Sequence, residues 1–172
     1  MILQPHHQKL RIFFKSTNTS SINTSTVDVI LNISKTNNMN FSDIDFQHGN
    51  EWTVRVDQSS NISFQNCGWK FCGITTLLGW TSVTNLSVRN CSINYVNSDG
   101  IKLYSGANAA IEDNDFSNIG MFPGEGGVNE YRAISVELHT SPNISIQRNR
   151  INNTGYCAIS ASGANLLIKN KK

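Results

Sequence analysis

Apolar and polar residues alternate with period two in short runs along this chain, and the runs come back at a fixed interval. The phrase Asn61-Ile-Ser-Phe-Gln-Asn-Cys-Gly-Trp69 returns as Asn85-Leu-Ser-Val-Arg-Asn-Cys-Ser-Ile93, as Asn108-Ala-Ala-Ile-Glu-Asp-Asn-Asp-Phe116 and as Asn143-Ile-Ser-Ile-Gln-Arg-Asn-Arg-Ile151. A diverged copy opens at Asn38 and a shortened one at Asn165. Successive starts lie 23, 24, 23, 35 and 22 residues apart, one period of about 23 broken by a single insertion of about a dozen residues. A repeat of this length marks a solenoid, whose units bury their apolar sides only by stacking on one another.

Phrase positions 2 and 4 are apolar in nearly every copy: Met39 and Phe41, Ile62 and Phe64, Leu86 and Val88, Ala109 and Ile111, Ile144 and Ile146, Leu166 and Ile168. Such alternation is a strand with one buried face. Position 9 is apolar again (Phe46, Trp69, Ile93, Phe116, Ile151). A turn then leads to a second run, carried by Val54 and Val56, Ile74, Ile101 and Leu103, Ile134 and Val136, and Ile159 and Ala161. The three- and four-residue spacing of a helical repeat is absent. The pattern predicts an all-β solenoid of about six coils, about 23 residues each, stacked as parallel strands.

On these phrases, over about residues 27–170, the chain resembles the right-handed parallel β-helix proteins of the pectin-lyase-like superfamily. That resemblance implies a carbohydrate-active protein, a polysaccharide lyase or glycoside hydrolase. Residues 1–26 read as a lead-in, with a strand over 10–14 and a loop rich in Asn, Ser and Thr after it; residues 27–172 read as the β-helix. No amphipathic helix precedes the first coil, and the last phrase is cut short. Open coil ends expose apolar core and strand edges, so further β-helix coils of the same parent chain are an expected partner.

Composition sharpens this. The 23 Asn, 20 Ser and 12 Thr make up about a third of the chain, and charged residues only 15%, against a usual ~25%. Short polar side chains suit tight corners and can form ladders from rung to rung. A net charge of +2, with no basic run before the last few residues, argues against a nucleic-acid partner. No stretch approaches the ~18 apolar residues of a membrane span. Residues 10–14 are too short for the apolar region of a signal peptide, so an extracellular or periplasmic location rests on fold analogy.

Cys67 and Cys91 share phrase position 7 with Asn114 and Asn149 and should stack inside the coil as reduced thiols. Their parallel side chains suit disulfide geometry poorly. Cys72 and Cys157 are expected in one column three rungs apart. Registering the phrases also pairs charges on adjacent rungs: Arg89 with Glu112, Asp113 with Arg148, Asp115 with Arg150, and Asp99 with Arg132. Exposed pairs of this kind contribute ~0–1 kcal/mol each.

The outer face of the second strand is left over. Lys102, Ser135 and Ser160 should point outward in one column with Arg55 and Thr75. Tyr104, Glu137 and Ser162 should form the next, with Asp57 and Leu77. His139 lies just beyond, and the insertion carrying Glu125, Glu130 and Tyr131 leads into the same strand. Glycoside hydrolysis needs two carboxyls about 5–5.5 Å or 6.5–9.5 Å apart, which Glu137 could form with Glu125 or Glu130. Asp57 is three rungs from Glu137, about 14 Å by strand spacing, too far for that role. A lyase would need a base such as Lys102, Tyr104 or His139, and a cation or Ca²⁺ to neutralise a uronate. Apart from that case no cofactor or metal is expected.

Asn97-Ser-Asp-Gly-Ile101 resembles the Asn-Thr-Asp-Gly segment of polygalacturonases, which implies a catalytic Asp99. Lys102 stands where those enzymes carry another acid, and their Asp-Asp pair and Gly-His-Gly segment are missing. The opening segment, up to Phe46, is similar to the lead-in of large bacterial β-helix glycosidases. The candidate catalytic residues are therefore Glu137, Lys102, Asp99 and His139. The candidate substrate-binding residues are Tyr104, Arg55, Arg132, Glu125, Glu130 and Tyr131. The alternative is a non-catalytic β-helix for glycan binding, adhesion or scaffolding, which a row of exposed aromatic residues would favour.

Overall fold

The computed structural model describes residues 26–122, 131–136 and 142–169. The expected lead-in, but for Thr26, lies outside them. Among the described residues every regular element is a β-strand, and the strands form three parallel sheets that wind as one solenoid.

The six-stranded sheet takes Val29–Ser34, Trp52–Asp57, Thr75–Gly79, Asp99–Leu103, Arg132–Val136 and Cys157–Ala161 in that order. The seven-stranded sheet is built on the phrase: Asn37–Ser42, Ser60–Gln65, Val83–Arg89, Ala110–Glu112, Ser145–Gln147 and Leu167–Lys169, with Gly106–Ala107 also pairing to Val83–Arg89. The five-stranded sheet follows it: Asp45–Gln47, Gly68–Cys72, Ser92–Val96, Asp115–Ile119 and Arg150–Thr154. Each chain passage through the three sheets is one coil, as the period predicts.

The phrase positions lie in register from rung to rung. Phe41, Phe64, Val88, Ile111, Ile146 and Ile168 form one column, and Phe46, Trp69, Ile93, Phe116 and Ile151 another. Both columns point into the coil, where Phe41 stacks on Phe64 at 4.9 Å and Phe46 on Trp69 at 5.5 Å. Burial of these rings and of the aliphatic columns, at roughly 1.5–3 kcal/mol per side chain, is the main stabilising term.

Asparagine makes the corners. Asn38, Asn61, Asn85, Asn108, Asn143 and Asn165 open the six phrases with φ between 54° and 61°, a left-handed conformation that Asn tolerates better than most residues. Each side-chain NH₂ donates to the carbonyl of the Asn one rung before it, at 2.7–3.1 Å. A second ladder runs inside at phrase position 7. The Cys91 N–H donates to Asn114 Oδ1 at 2.9 Å, and the Asn114 N–H and Nδ2 both donate to Asn149 Oδ1 at 3.0 Å. Asn114 Nδ2 and Asn149 Nδ2 also donate to the Val88 and Ile111 carbonyls. Cys67 and Cys91 occupy the same column as buried, free thiols, with the Cys67 N–H directed at Cys91 Sγ.

Two expectations about the six-stranded sheet need correcting. Leu77, not Ile74, pairs with Val54 and Ile101, so Leu78 rather than Thr75 shares a column with Arg55 and Lys102. Leu77 itself is a core residue. The strict alternation also breaks near the start of the four middle strands, where two consecutive residues are buried: Thr53 and Val54, Thr76 and Leu77, Gly100 and Ile101, Ala133 and Ile134. Thr53 donates to the buried Cys72 Sγ at 2.9 Å, and a Cβ on Gly100 would meet the Ala133 carbonyl at 2.5 Å and the Phe116 ring at 3.0 Å. These small residues therefore face inward, and the residue before each (Trp52, Thr75, Asp99, Arg132) turns to the outer face. Cys157 pairs with Arg132 in that outer column, whereas Cys72 pairs with Val96 on a different sheet.

Candidate functional site

The outer face of the six-stranded sheet thus carries three adjacent columns. The first holds Trp52, Thr75, Asp99, Arg132 and Cys157. The second holds Arg55, Leu78, Lys102, Ser135 and Ser160. Asp57, Trp80 and Tyr104 continue the third, one step beyond Val56, Gly79 and Leu103. Around the middle rungs these columns enclose a hollow of about 200 Å³, lined by Trp52, Ile74, Thr75, Leu78, Trp80, Lys102 and Tyr104.

The Arg55 guanidinium lies 5.4 Å from the Trp52 ring centre and 5.8 Å from that of Trp80, and 3.9 Å from the Asp57 carboxylate. Lys102 is 4% exposed, with Nζ 4.5 Å from the centre of the Tyr104 ring. Trp80 meets Tyr104 edge to face at 4.8 Å and remains 40% exposed. The hollow is therefore an aromatic trough with a guanidinium against one wall and an ammonium at its floor. Cations over ring faces gain ~0.5–1 kcal/mol when exposed and more when desolvated, which holds both in place.

Asp99 is buried beneath this floor. Its Oδ1 accepts the Arg132 backbone N–H at 2.8 Å, and Oδ2 lies 3.9 Å from Lys102 Nζ. The expected Asp99–Arg132 pairing is therefore made through the Arg132 main chain, while the Arg132 guanidinium donates to Ser135 Oγ at 3.2 Å. Tyr131 is buried against Gly120 at a corner, away from the trough. Glu125, Glu130, Glu137 and His139 lie outside the described residues. Among the candidates, then, Arg55, Lys102 and Tyr104 come together with Asp99 under them. Trp52 and Leu78 are additions, and Trp80 takes a central place. Trp52 escapes a period-two reading because the buried pair Thr53–Val54 shifts it to the outer face.

The charges at phrase positions 5, 6 and 8 have structural partners. Glu112 accepts from Arg89 Nη1 at 2.7 Å, Arg148 Nη2 at 3.1 Å and Ser145 Oγ at 2.7 Å. Burial alone would raise its carboxyl, but the Ser145 hydroxyl and the two guanidinium groups outweigh this and hold it below its ordinary range. Arg148 also grips Asp113 through both oxygens, at 2.7 and 2.8 Å, and lowers that carboxyl too. Arg150 and Asp115 pair at 3.9 Å. A larger open hollow, about 570 Å³, lies along this corner, but its Asp and Arg side chains largely neutralise one another. Among the described residues no group of three or more His, Cys, Asp or Glu could hold a metal ion, and no helix is long and apolar enough to cross a membrane.

A solenoid of three parallel sheets with ladders at its corners is a β-helix by construction. The profile of the right-handed beta helix region matches residues 29–172, and the chain belongs to that family. No curated protein and no solved structure gives a significant match.

Proposed function

We propose that this β-helix binds a polysaccharide along the outer face of its six-stranded sheet, in an extracellular or periplasmic setting. The observation that carries the reading is the convergence of Trp52, Trp80, Tyr104 and Lys102 around one hollow, with Arg55 packed on the two indole rings. Aromatic faces offer a pyranose ring flat apolar contact, and a few placed donors fix its orientation. Arg55 and Lys102 supply donors for hydroxyl or carboxylate groups, so a uronate-containing chain suits the site. Titration calorimetry with polygalacturonate tests it. Binding that falls at least tenfold in Trp80→Ala supports the reading, and equal binding by the two proteins removes it.

A catalytic version of the same reading is favoured by the buried Asp99–Lys102 pair at the floor of the trough. In it, Glu137 and His139, which follow Val136 in the sequence, are the candidate acid and base, with Glu125 or Glu130 as second carboxylate. A lyase would draw on Ca²⁺ or on Lys102 to neutralise the uronate. Release of reducing ends, or ultraviolet absorbance from unsaturated uronates, separates hydrolysis and elimination from binding alone.

A further inference from the structure

One left-handed column of the coil carries aromatic rings. The column His48, Phe71, Tyr95, Asn118 and Asn153 lies at the trailing end of the five-stranded sheet, every member with φ between 53° and 63°. Its last two members use the inexpensive solution, with Asn153 Nδ2 donating to Asn118 Oδ1. The first three are rings. A left-handed backbone at a bulky residue costs roughly 1–3 kcal/mol, and here it recurs on three consecutive rungs. Ring stacking recovers part of that: His48 lies on Phe71 at 5.3 Å and Phe71 on Tyr95 at 5.5 Å, with ring planes within 12°. The apolar surface nevertheless stays in solvent, Phe71 at 48% exposure and Tyr95 at 51%.

The stack ends at Tyr95, because the next residue in the column is Asn118. Beside that end is a hollow of about 200 Å³ lined by Tyr95, Val96, Asn97, Asn118, Met121 and Phe122. A second, about 360 Å³, runs back along the stack past Phe71 and His48 and shares Tyr95, Asn97 and Phe122 with the first. Phe122 is 67% exposed. Asn50 and Asn97 add amide groups, and among the described residues no Asp, Glu, Lys or Arg lines either hollow.

We infer that this corner is a second glycan site, taking a neutral oligosaccharide of two or three units. One pyranose fills the hollow between Tyr95 and Phe122, and the next follow the stack toward His48. Rung steps of 5.3 and 5.5 Å are comparable with the advance per sugar in an extended glycan. The open face of Tyr95 at the end of the stack gives the first sugar flat apolar contact, the ring edges of Phe71 and His48 line the path of the next, and the amides serve the hydroxyls as both donors and acceptors. The uncharged lining sets the site apart from the trough, whose two cations suit an acidic chain. Local rules are broken in proteins chiefly where function requires it, and exposed apolar patches mark interaction sites.

The test is titration of the full chain with cellohexaose, xylohexaose and mannohexaose. Binding of at least one is expected, at least tenfold weaker in Tyr95→Asn and in Phe122→Ala. Tyr95→Asn extends the existing Asn column, so circular dichroism and melting should stay close to those of the parent. Trp80→Ala should leave this binding unchanged, and Tyr95→Asn should leave polygalacturonate binding unchanged, so the failure of one site is distinct from the failure of the other. The inference is overturned if none of the three sugars binds, if Tyr95→Asn binds them as the parent does, or if the only effect of Tyr95→Asn is to abolish self-association in sedimentation.

Discussion

The indole of Trp80 and the phenol of Tyr104, on consecutive rungs, cross at 75° with their centres 4.8 Å apart. An edge-to-face pair of this kind contributes ~0.5–1.5 kcal/mol beyond its buried area. It fixes the tilt of the indole, which stays 40% exposed with the Arg55 guanidinium over its ring. Replacing Tyr104 with Leu should therefore keep the fold but loosen Trp80. Polygalacturonate affinity should fall about threefold to tenfold, less than in Trp80→Ala. Calorimetry on the two variants and their double mutant would reveal coupling between the rings.

The two ladders should differ in worth. Asn114→Ala removes the acceptor of the buried Cys91 N–H and a bond to the Val88 carbonyl, at about 1–3 kcal/mol for the orphaned N–H alone. Asn85→Ala loses two exposed amide bonds and strains a left-handed corner, for about 1–2 kcal/mol. Urea denaturation should rank Asn114→Ala as the more damaging, and Asn85→Gly as milder than Asn85→Ala.

Acid should weaken the corner around Arg148. Glu112 and Asp113 have folded-state pKa values below their ordinary ones, so the unfolded chain takes up protons first. Their stabilisation is fully present above the ordinary carboxylate range, ~4, and is lost as pH falls through the lowered folded values. Glu112→Gln should flatten this acid slope in melting temperatures measured from neutral pH downward. At neutral pH it should cost about 1–3 kcal/mol, the worth of hydrogen bonds to a charged group.

Thiol chemistry should follow burial. Desolvation raises the Cys72 thiol, and burial pushes Cys91 up to about 11. Cys67 is equally enclosed, whereas Cys157 is half-buried. Because the thiolate is the reactive form, brief iodoacetamide treatment of the native protein should label Cys157 first. The other three should react only after unfolding, as read by peptide mass spectrometry.

The solenoid was legible because its repeated constraints are local: alternation at Ile62 and Phe64, a left-handed Asn opening each phrase, opposite charges one period apart. Arg89 with Glu112 and Asp113 with Arg148 follow from the period alone. The six-stranded sheet was harder to read. In Ile74-Thr-Thr-Leu-Leu-Gly79 alternation is lost, and Leu77 cannot be told from Leu78 without the neighbouring strands. Thr53, Thr76, Gly100 and Ala133 are buried beside the apolar core, and at Gly100 a Cβ would meet Phe116 and the next strand; that shift moves Trp52 outward. The column of His48, Phe71 and Tyr95 was visible only after rungs were stacked, since each residue alone resembles an ordinary surface aromatic.

The outer asparagine column has one more property. Every amide donates toward the rung that precedes it in the chain and accepts from the one that follows. The column is thus an arrow, with a head and a tail. A coil that arrives the right way round extends it bond for bond. One that is turned over meets like groups until its own amides rotate. Six copies of one residue type thereby share a single polarity along the stack.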